Sequence, residues 1–440
     1  MTAMTLTRFA LDDASHRQQQ IDLSPSGRGK PSLTTERFNK NHPLGRTLVS
    51  EPLKLGIIGL GRAFTLMLPT FASHPLVKMV AASDPRVDAR ERFASEFGAK
   101  VFEEAQALCA DSDVETVYVA SPHQFHVDHV KLAARYGKHI LIEKPMALTL
   151  AEGKEMIEVA AKANIKLLVG HSHSYDLPYL RTREMIGTGA YGRVRMISAL
   201  NFTDFLYRPR RPEELDTSAG GGVVFSQAAH QVDVVRLLSP STAKSLRAFT
   251  ANWDASRPTE GAYTAQIGLE DGSFASLTYS GYAHFDTDEF MGWRGELGQM
   301  REGEISYGRA RQGLRNARTV AGEIEMKNRR AYGPTGRDAF RVEGDLAHNH
   351  FGLVIVSCER ADLRPLPHGI AVYGDEKRHL EELPSPKIPR AEVVDELYDA
   401  VVRNRPPLHS GEWGLATLEI CLAILESAKN GREIGLTCQV

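Results

Sequence analysis

Residues 53–64 read LKLGIIGLGRAF. The apolar run LKLGIIG (53–59) gives way at Gly59-Leu60-Gly61 to helical periodicity. Strand, tight turn and helix in that order open a dinucleotide-binding βαβ unit. Gly59 permits the tight turn, and Gly61 lets the backbone approach a pyrophosphate. The helix entered through Arg62, Ala63 and Phe64 then offers free N–H groups and the positive end of its dipole. Phe64 stands where the pattern has a third glycine, so helix and strand pack less closely there. Asp84 follows about 25 residues on, at the end of the next apolar run, VKMVAAS (77–83). An acid there accepts from the adenosine ribose hydroxyls and favours NAD, while Arg86 and Arg90 leave NADP open. Asp84 also suits the N-cap of the next helix, with Pro85 at its first position.

The same rhythm continues outward. ETVYVAS (115–121), KHILIEK (138–144) and IKLLVG (165–170) read as strands, and Pro85–Phe97, His123–Tyr136 and Thr149–Ala163 as helices. Strands that are apolar throughout and separated by helices predict a doubly wound parallel sheet over residues 51–172. From 173 to 440 the pattern changes. A helical stretch (Phe225–Leu238) precedes the alternating runs SLRAFTANWD, YTAQIGLED, SFASLTYSGY and GIAVYGD, which predict a large open mixed or antiparallel sheet. Two helices, about 390–402 and 411–430, close this second α/β domain, expected to bind substrate and to oligomerise.

Two segments stand apart. Residues 1–50 are rich in Ser, Thr, Arg and Gln and read as a poorly ordered or domain-wrapping extension. Residues 301–343 hold ten Lys or Arg against six Asp or Glu. They read first as a solvated loop, and second as an arm bringing arginines to an anionic substrate or a neighbouring subunit.

Composition narrows the class. The 440 residues carry a formal charge of −2, which argues against nucleic acid or an anionic membrane as partner. No apolar run reaches the roughly 18–20 residues of a spanning helix. Cys109, Cys358, Cys421 and Cys438 form no CxxC pair, and a cytoplasmic location is expected.

The chemistry-bearing residues gather at the carboxyl edge of the predicted parallel sheet, where such sheets bind ligands. Glu143-Lys144-Pro145 ends one strand. Ser121-Pro122-His123 ends another, with His126 one turn later, beside the nicotinamide end of a bound cofactor. Gly220-Gly221-Gly222 precedes an apolar helix bearing Ser226 and His230, four apart and so on one face. Arg208, Arg210 and Arg211 offer guanidinium groups for carboxylates; a solvated loop paired to Glu213 and Glu214 is the equal alternative. His171 and His173 fall where they can face the cleft, and without a third ligand of convincing spacing no metal is expected.

The motifs GIIGLGRAF (56–64), ASPHQFHVDHV (120–130), ILIEKPMALTLAEG (140–153), GGGVVFSQAAHQVD (220–233) and the closing run 405–436 resemble the glucose-fructose oxidoreductase / inositol dehydrogenase / MocA family. The resemblance implies a Rossmann domain, an open-sheet domain, an active-site lysine and histidine at Lys144 and His230, and a cis peptide before Pro145. The family commonly has Asp where this chain has Ser226, which puts a standard polyol or sugar substrate in doubt. A narrower resemblance, carried by residues 350–375 and 226–238, is to the phthalate 4,5-cis-dihydrodiol dehydrogenase branch.

The expectation is therefore an NAD-dependent dehydrogenase in which His230 is general base and Lys144 stabilises the reacting oxygen, or the reverse. Arg208, Arg210, Arg211, His173 and Ser226 would bind an anionic phthalate-type cis-dihydrodiol. Alternatives are a sugar or cyclitol dehydrogenase, an NAD-dependent glycosidase and a non-catalytic regulator. The apolar face of an open sheet predicts a homodimer or homotetramer.

Overall fold

The structure, a computed structural model, describes residues 51–317, 319–333 and 346–440. The extension read at 1–50 lies outside the described residues, as do residue 318 and residues 334–343 of the basic segment.

The first domain is a parallel sheet of β1 (Leu53–Ile58), β2 (Val77–Ser83), β3 (Lys100–Phe102), β4 (Thr116–Val119), β5 (His139–Ile142) and β6 (Leu167–Val169). Their order is β3-β2-β1-β4-β5-β6, and every pair is parallel. The order reverses between β1 and β4, and the crevice outside their carboxyl ends is the ligand site of such sheets. Helices α1 (Arg62–Ser73), α2 (Val87–Phe97), α3 (Ala105–Ala110), α4 (His126–Arg135) and α5 (Leu150–Lys162) cover its faces. In α1, Phe64, Met67 and Phe71 recur at helical spacing and are buried. Thr149 and Glu152 form a reciprocal capping box that starts α5.

The second sheet has nine strands: β7 (Val194–Phe202), β8 (Ala243–Ala251), β9 (Ala262–Leu269), β10 (Phe274–Ser280), β11 (Leu353–Cys358), β12 (Ala361–Leu366), β13 (Gly369–Gly374), β14 (Arg378–Glu382) and β15 (Ile434–Gly435). β7 and β10 run parallel and the other pairs antiparallel, so the sheet is mixed. Helices α6 (Leu177–Gly187) and α7 (Ala229–Leu238) pack on one face, with α12 (Gly411–Asn430).

Three expectations change. The described part of 301–343 is not a simple solvated loop. It forms α8 (Gly303–Ser306), α9 (Arg309–Ala317) and α10 (Val320–Asn328), tied down by Arg257–Glu323 at 2.8 Å and Lys327–Glu214 at 2.6 Å. Helix α11 (Ala391–Val401), assigned by sequence to the second domain, buries Val393, Val394 and Leu397 in the core of the first. Asp84 does not cap α2. Arg86 holds the N-cap position, and Pro85 precedes the helix. Among the described residues no helix is long and apolar enough to cross a membrane.

Candidate active site

A cavity of about 920 Å³ lies at the carboxyl edge of the first sheet, closed on the far side by the second domain and by α8–α10. At its floor β1 turns sharply. Gly59 has φ +95°, and a Cβ there would press to 2.9 Å from the Ala120 carbonyl oxygen, so only glycine fits. At Gly61 a Cβ would meet nothing within 4 Å: the backbone faces open space. Gly61 is the N-cap of α1 with no side-chain cap, which leaves the first N–H groups of that helix for a ligand. The turn therefore fits a pyrophosphate. Arg62 and Ala63 line the cavity. Phe64, assigned by sequence to the cofactor, instead points into the core against Phe93 and Tyr332, because a buried aromatic fills the room a third glycine would leave.

Asp84 is buried behind this turn. It accepts from Leu60 N–H (2.7 Å), Arg86 N–H (2.9 Å) and Arg86 Nε (3.0 Å). The acid predicted to read the ribose is thus already balanced by Arg86.

Ser121, His123, Glu143 and Lys144 line the cavity beside the turn. Pro122 precedes the short helical turn His123–Phe125. His126 does not face the cavity. Fully buried, it bridges the Ser121 carbonyl (3.0 Å) to those of Pro145 and Met146 (3.2 Å each), a strut between the two loops that carry the site. The Lys144–Pro145 bond is cis, as the resemblance implied.

Lys144 donates to the Ser226 carbonyl at 2.8 Å. Residues Val224–Ala228 wind as a π-turn rather than as the expected continuation of the α-helix, and Ser226 acts on Lys144 through its carbonyl. The loop before it needs Gly222, where φ is +82° and a Cβ would overlap Glu260. His230 sits in the first turn of α7, and its Nδ1 is buried with no hydrogen-bond partner. Burial, reinforced by the charge of Lys144 and by His173, drives its imidazole well below the ordinary value, so it stands neutral. Burial also lowers the Lys144 ammonium, against the pull of Glu143.

His173 packs edge-on to His230, ring centroids 4.8 Å apart, and its Nδ1 lies 2.6 Å from Asp176 Oδ2. Asp176 also receives His171 Nε2 (3.4 Å) and Asn349 Nδ2 (3.1 Å). Burial would raise the Asp176 carboxyl, but His173 and the hydrogen bonds more than offset it and hold it well below the carboxylate range. An ionised Asp176 fixes the tautomer of His173, with Nε2 left as the ring nitrogen available to a ligand. His171, His173 and Asp176 present ligand atoms within 4.8 Å of one another, so the third group missing from the sequence reading is Asp176, three residues beyond His173. Its 2.6 Å contact is a hydrogen bond.

Arg208 and Arg210 reach the cavity; Arg211 does not. Arg208 pairs with Asp204 (2.9 Å) and Glu296 (3.7 Å), and Arg210 lies over the Phe205 ring at 3.5 Å. Arg211 donates to Asn328 on α10, on the outside, because its loop turns away at Pro212. Arg330, within the basic run read second as an arm but not singled out there, and Arg390, which sequence reasoning missed, line the cavity from segments far along the chain.

A doubly wound sheet ending in a bare glycine turn, with a neutral imidazole and a desolvated ammonium beside it, defines a nicotinamide-dependent dehydrogenase. Comparison with known proteins makes the class specific. The chain belongs to the Gfo/Idh/MocA oxidoreductase family: the model of its NAD-binding Rossmann fold matches residues 53–171, and that of its C-terminal domain matches residues 179–301. It is therefore an NAD-dependent dehydrogenase. It is 46% identical over 378 residues (86% of this chain, 95% of the relative) to 1-carboxy-3-chloro-3,4-dihydroxycyclohexa-1,5-diene dehydrogenase of Comamonas testosteroni. Myo-inositol 2-dehydrogenase of Thermotoga maritima is 27% identical over 42% of this chain and 54% of its own length. A crystal structure from Bordetella bronchiseptica RB50 superposes with TM-score 0.81 at 41% identity, covering 87% of this chain and all (100%) of that one.

Proposed function

We propose that the protein oxidises a carboxylated cis-dihydrodiol of a cyclohexadiene ring, of the phthalate type or a close monocarboxylate, to the corresponding catechol. The observation that carries this reading is the cavity itself, where Arg208 and Arg210 face the same space as Lys144 and His230. Nine Lys and Arg against seven Asp and Glu line it, so even with Arg208 paired to Asp204 and Arg301 to Asp286 and Asp288 the lining favours an anionic ligand. The Comamonas testosteroni relative, named for a carboxylated dihydroxycyclohexadiene, supports the same class.

The bound nicotinamide cofactor supplies the hydride acceptor. Neutral His230, which lines the cavity beside Lys144, is placed to take the hydroxyl proton. Lys144 donates to the oxygen as negative charge develops, and burial strengthens that interaction. His173, oriented by Asp176, binds the second hydroxyl. Loss of the remaining ring C–H proton with protonation of the carbonyl then gives the aromatic diol. Arg62, Ala63 and the Gly59–Gly61 turn would hold the pyrophosphate, with Asp84 at the ribose.

The test is stoichiometric. A purified sample given NAD and a carboxylated cis-dihydrodiol should yield one NADH and one catechol per diol. Activity confined to inositol or glucose would move the assignment to the sugar branch of the family.

We also infer that a second copy of the chain covers the outer face of the large sheet. That face carries Leu200 and Phe202 on β7 beside Leu353 and Ile355 on β11, with Phe274 and Phe285 exposed. Light scattering should report a dimer or tetramer, and Phe202→Asp should dissociate it.

A further inference from the structure

We propose that Arg330, at the end of the arm formed by α8–α10, binds a carboxylate of the substrate, which makes the arm part of the substrate site. This inference rests on the carboxylated-substrate reading above.

The arm is anchored on both sides of the cavity. Toward the first domain, Thr65 Oγ1 donates to the Arg330 carbonyl and Tyr332 N–H to the Leu60 carbonyl, each at 3.2 Å. Toward the second, Lys327 holds Glu214 and Arg257 holds Glu323. A segment fixed this firmly has no need of a cation turned inward, yet the Arg330 side chain lines the same cavity as Lys144 and His230.

Three of the other inward arginines come with counter-ions: Arg208 has Asp204 and Glu296, Arg210 has Glu214, and Arg301 has Asp286 and Asp288, while Arg390 is held by the Leu66 carbonyl. Among the described residues Arg330 has no carboxylate at ion-pairing distance. Its surroundings make this costly. Burial first, then repulsion from Arg208, pushes the guanidinium below its ordinary value against the pull of Asp204. A partly buried cation beside another cation is stable when a ligand brings the missing negative charge. A guanidinium fork matches a carboxylate in bidentate geometry.

Two anions reach this cavity in the proposed complex, the cofactor pyrophosphate and the substrate carboxylate. The pyrophosphate has its own donors in the glycine turn and the N-terminus of α1. Arg330 faces Arg208, Arg210 and Asp204 of the second domain as well as Arg62 beside the glycine turn, so it stands between the two anions, and the carboxylate is the one without donors of its own.

The test uses the full-length protein saturated with NAD and titrated calorimetrically with 3,4-dihydroxybenzoate and with catechol, two product-like probes that differ by one carboxylate. Wild type should bind the dihydroxybenzoate about tenfold or more tightly than catechol. Arg330→Met should bring the two toward parity, Arg330→Lys should keep part of the preference, and the NADH dissociation constant should stay within about twofold. Arg329→Met serves as control, since Arg329 is exposed and pairs with Glu325 on its own helix. If Arg330→Met retains the preference, or weakens NADH as much as the dihydroxybenzoate, the proposal is overturned. In the second case the guanidinium serves the pyrophosphate. If wild type itself shows no preference, the carboxylated-substrate reading fails, a result separable from failure at Arg330 alone. Thermal midpoints identify a variant that does not fold, and the Lys variant then decides.

Discussion

Replacing Asp84 by Ser tests how this chain reads its cofactor. The carboxylate receives Leu60 N–H at 2.7 Å and three Arg86 donors, the N–H at 2.9 Å, Nε at 3.0 Å and Nη2 at 3.3 Å. A hydrogen bond to a charged group contributes about 1.5–3 kcal/mol, and two ribose hydroxyls would suggest twice that. The acid is already satisfied, however, so cofactor binding exchanges an Arg86 contact for a hydroxyl and does not fill a vacancy. The net loss in Asp84→Ser is then closer to one such bond, about 1.5–3 kcal/mol, or roughly a 10- to 150-fold rise in KM for NAD. The same substitution releases Arg86, whose Nη2 also reaches the Leu60 carbonyl at 2.7 Å, to meet a 2′-phosphate. KM for NADP should fall about tenfold as a charge-assisted contact forms. Initial rates at saturating substrate, with fluorescence titration of NADH and NADPH, give both constants, and Asp84→Asn should lie between. A KM for NAD within about twofold of wild type, with NADP unmoved, would refute the reading of Asp84 as ribose acceptor.

Lys144→Met should lower kcat about 10²- to 10⁴-fold with little change in NADH affinity, measured by steady-state kinetics and fluorescence, because besides its bond to the Ser226 carbonyl it removes the donor to the reacting oxygen and leaves the pyrophosphate turn intact. Arg208→Met should raise KM for a carboxylated diol roughly 10- to 100-fold and leave an uncharged diol nearly unaffected in the same assay. The pH profile of kcat/KM follows from the two lowered groups. His230 must be unprotonated and stays so below the usual histidine range, so the acid limb lies below about pH 6.5. Lys144 must be protonated and loses its proton earlier than an ordinary lysine, so the alkaline limb falls below about pH 10.4. Lys144→Arg should move that alkaline limb upward.

The first domain was legible because its strands are buried on both faces. Leu53–Ile58 and His139–Ile142 are apolar almost without interruption, which only a covered parallel sheet explains. The apolar Leu353–Cys358 and the alternating Val194–Phe202 went unread despite their patterns, while other strands that escaped notice lack any such signal. Lys100–Phe102 is a three-residue edge, Ala361–Leu366 carries Pro365, and Arg378–Glu382 is charged and largely exposed. The site divides in the same way. Gly59, Lys144 and His230 sit beside local patterns that announce them, a glycine turn, a strand end and a glycine loop. Arg330 and Arg390 reach the cavity through tertiary packing of segments hundreds of residues from Gly59; the basic run 301–343 marked the segment of the first without singling it out, and no local pattern marks the second. His126 shows the reverse error: a polar residue at the right sheet edge that hydrogen bonds turn inward to brace two loops. The π-turn at Val224–Ala228 likewise follows from the backbone around Gly222 and not from the apolar period of the helix.

The most direct measurement follows NADH and catechol together, from a carboxylated cis-dihydrodiol, in wild type and in His230→Gln. Both products should rise in equal amounts in wild type, and both should fall at least 100-fold in the variant while NADH still binds. Unchanged turnover without the imidazole would contradict the mechanism, and a wild type inert toward every carboxylated diol would contradict the function.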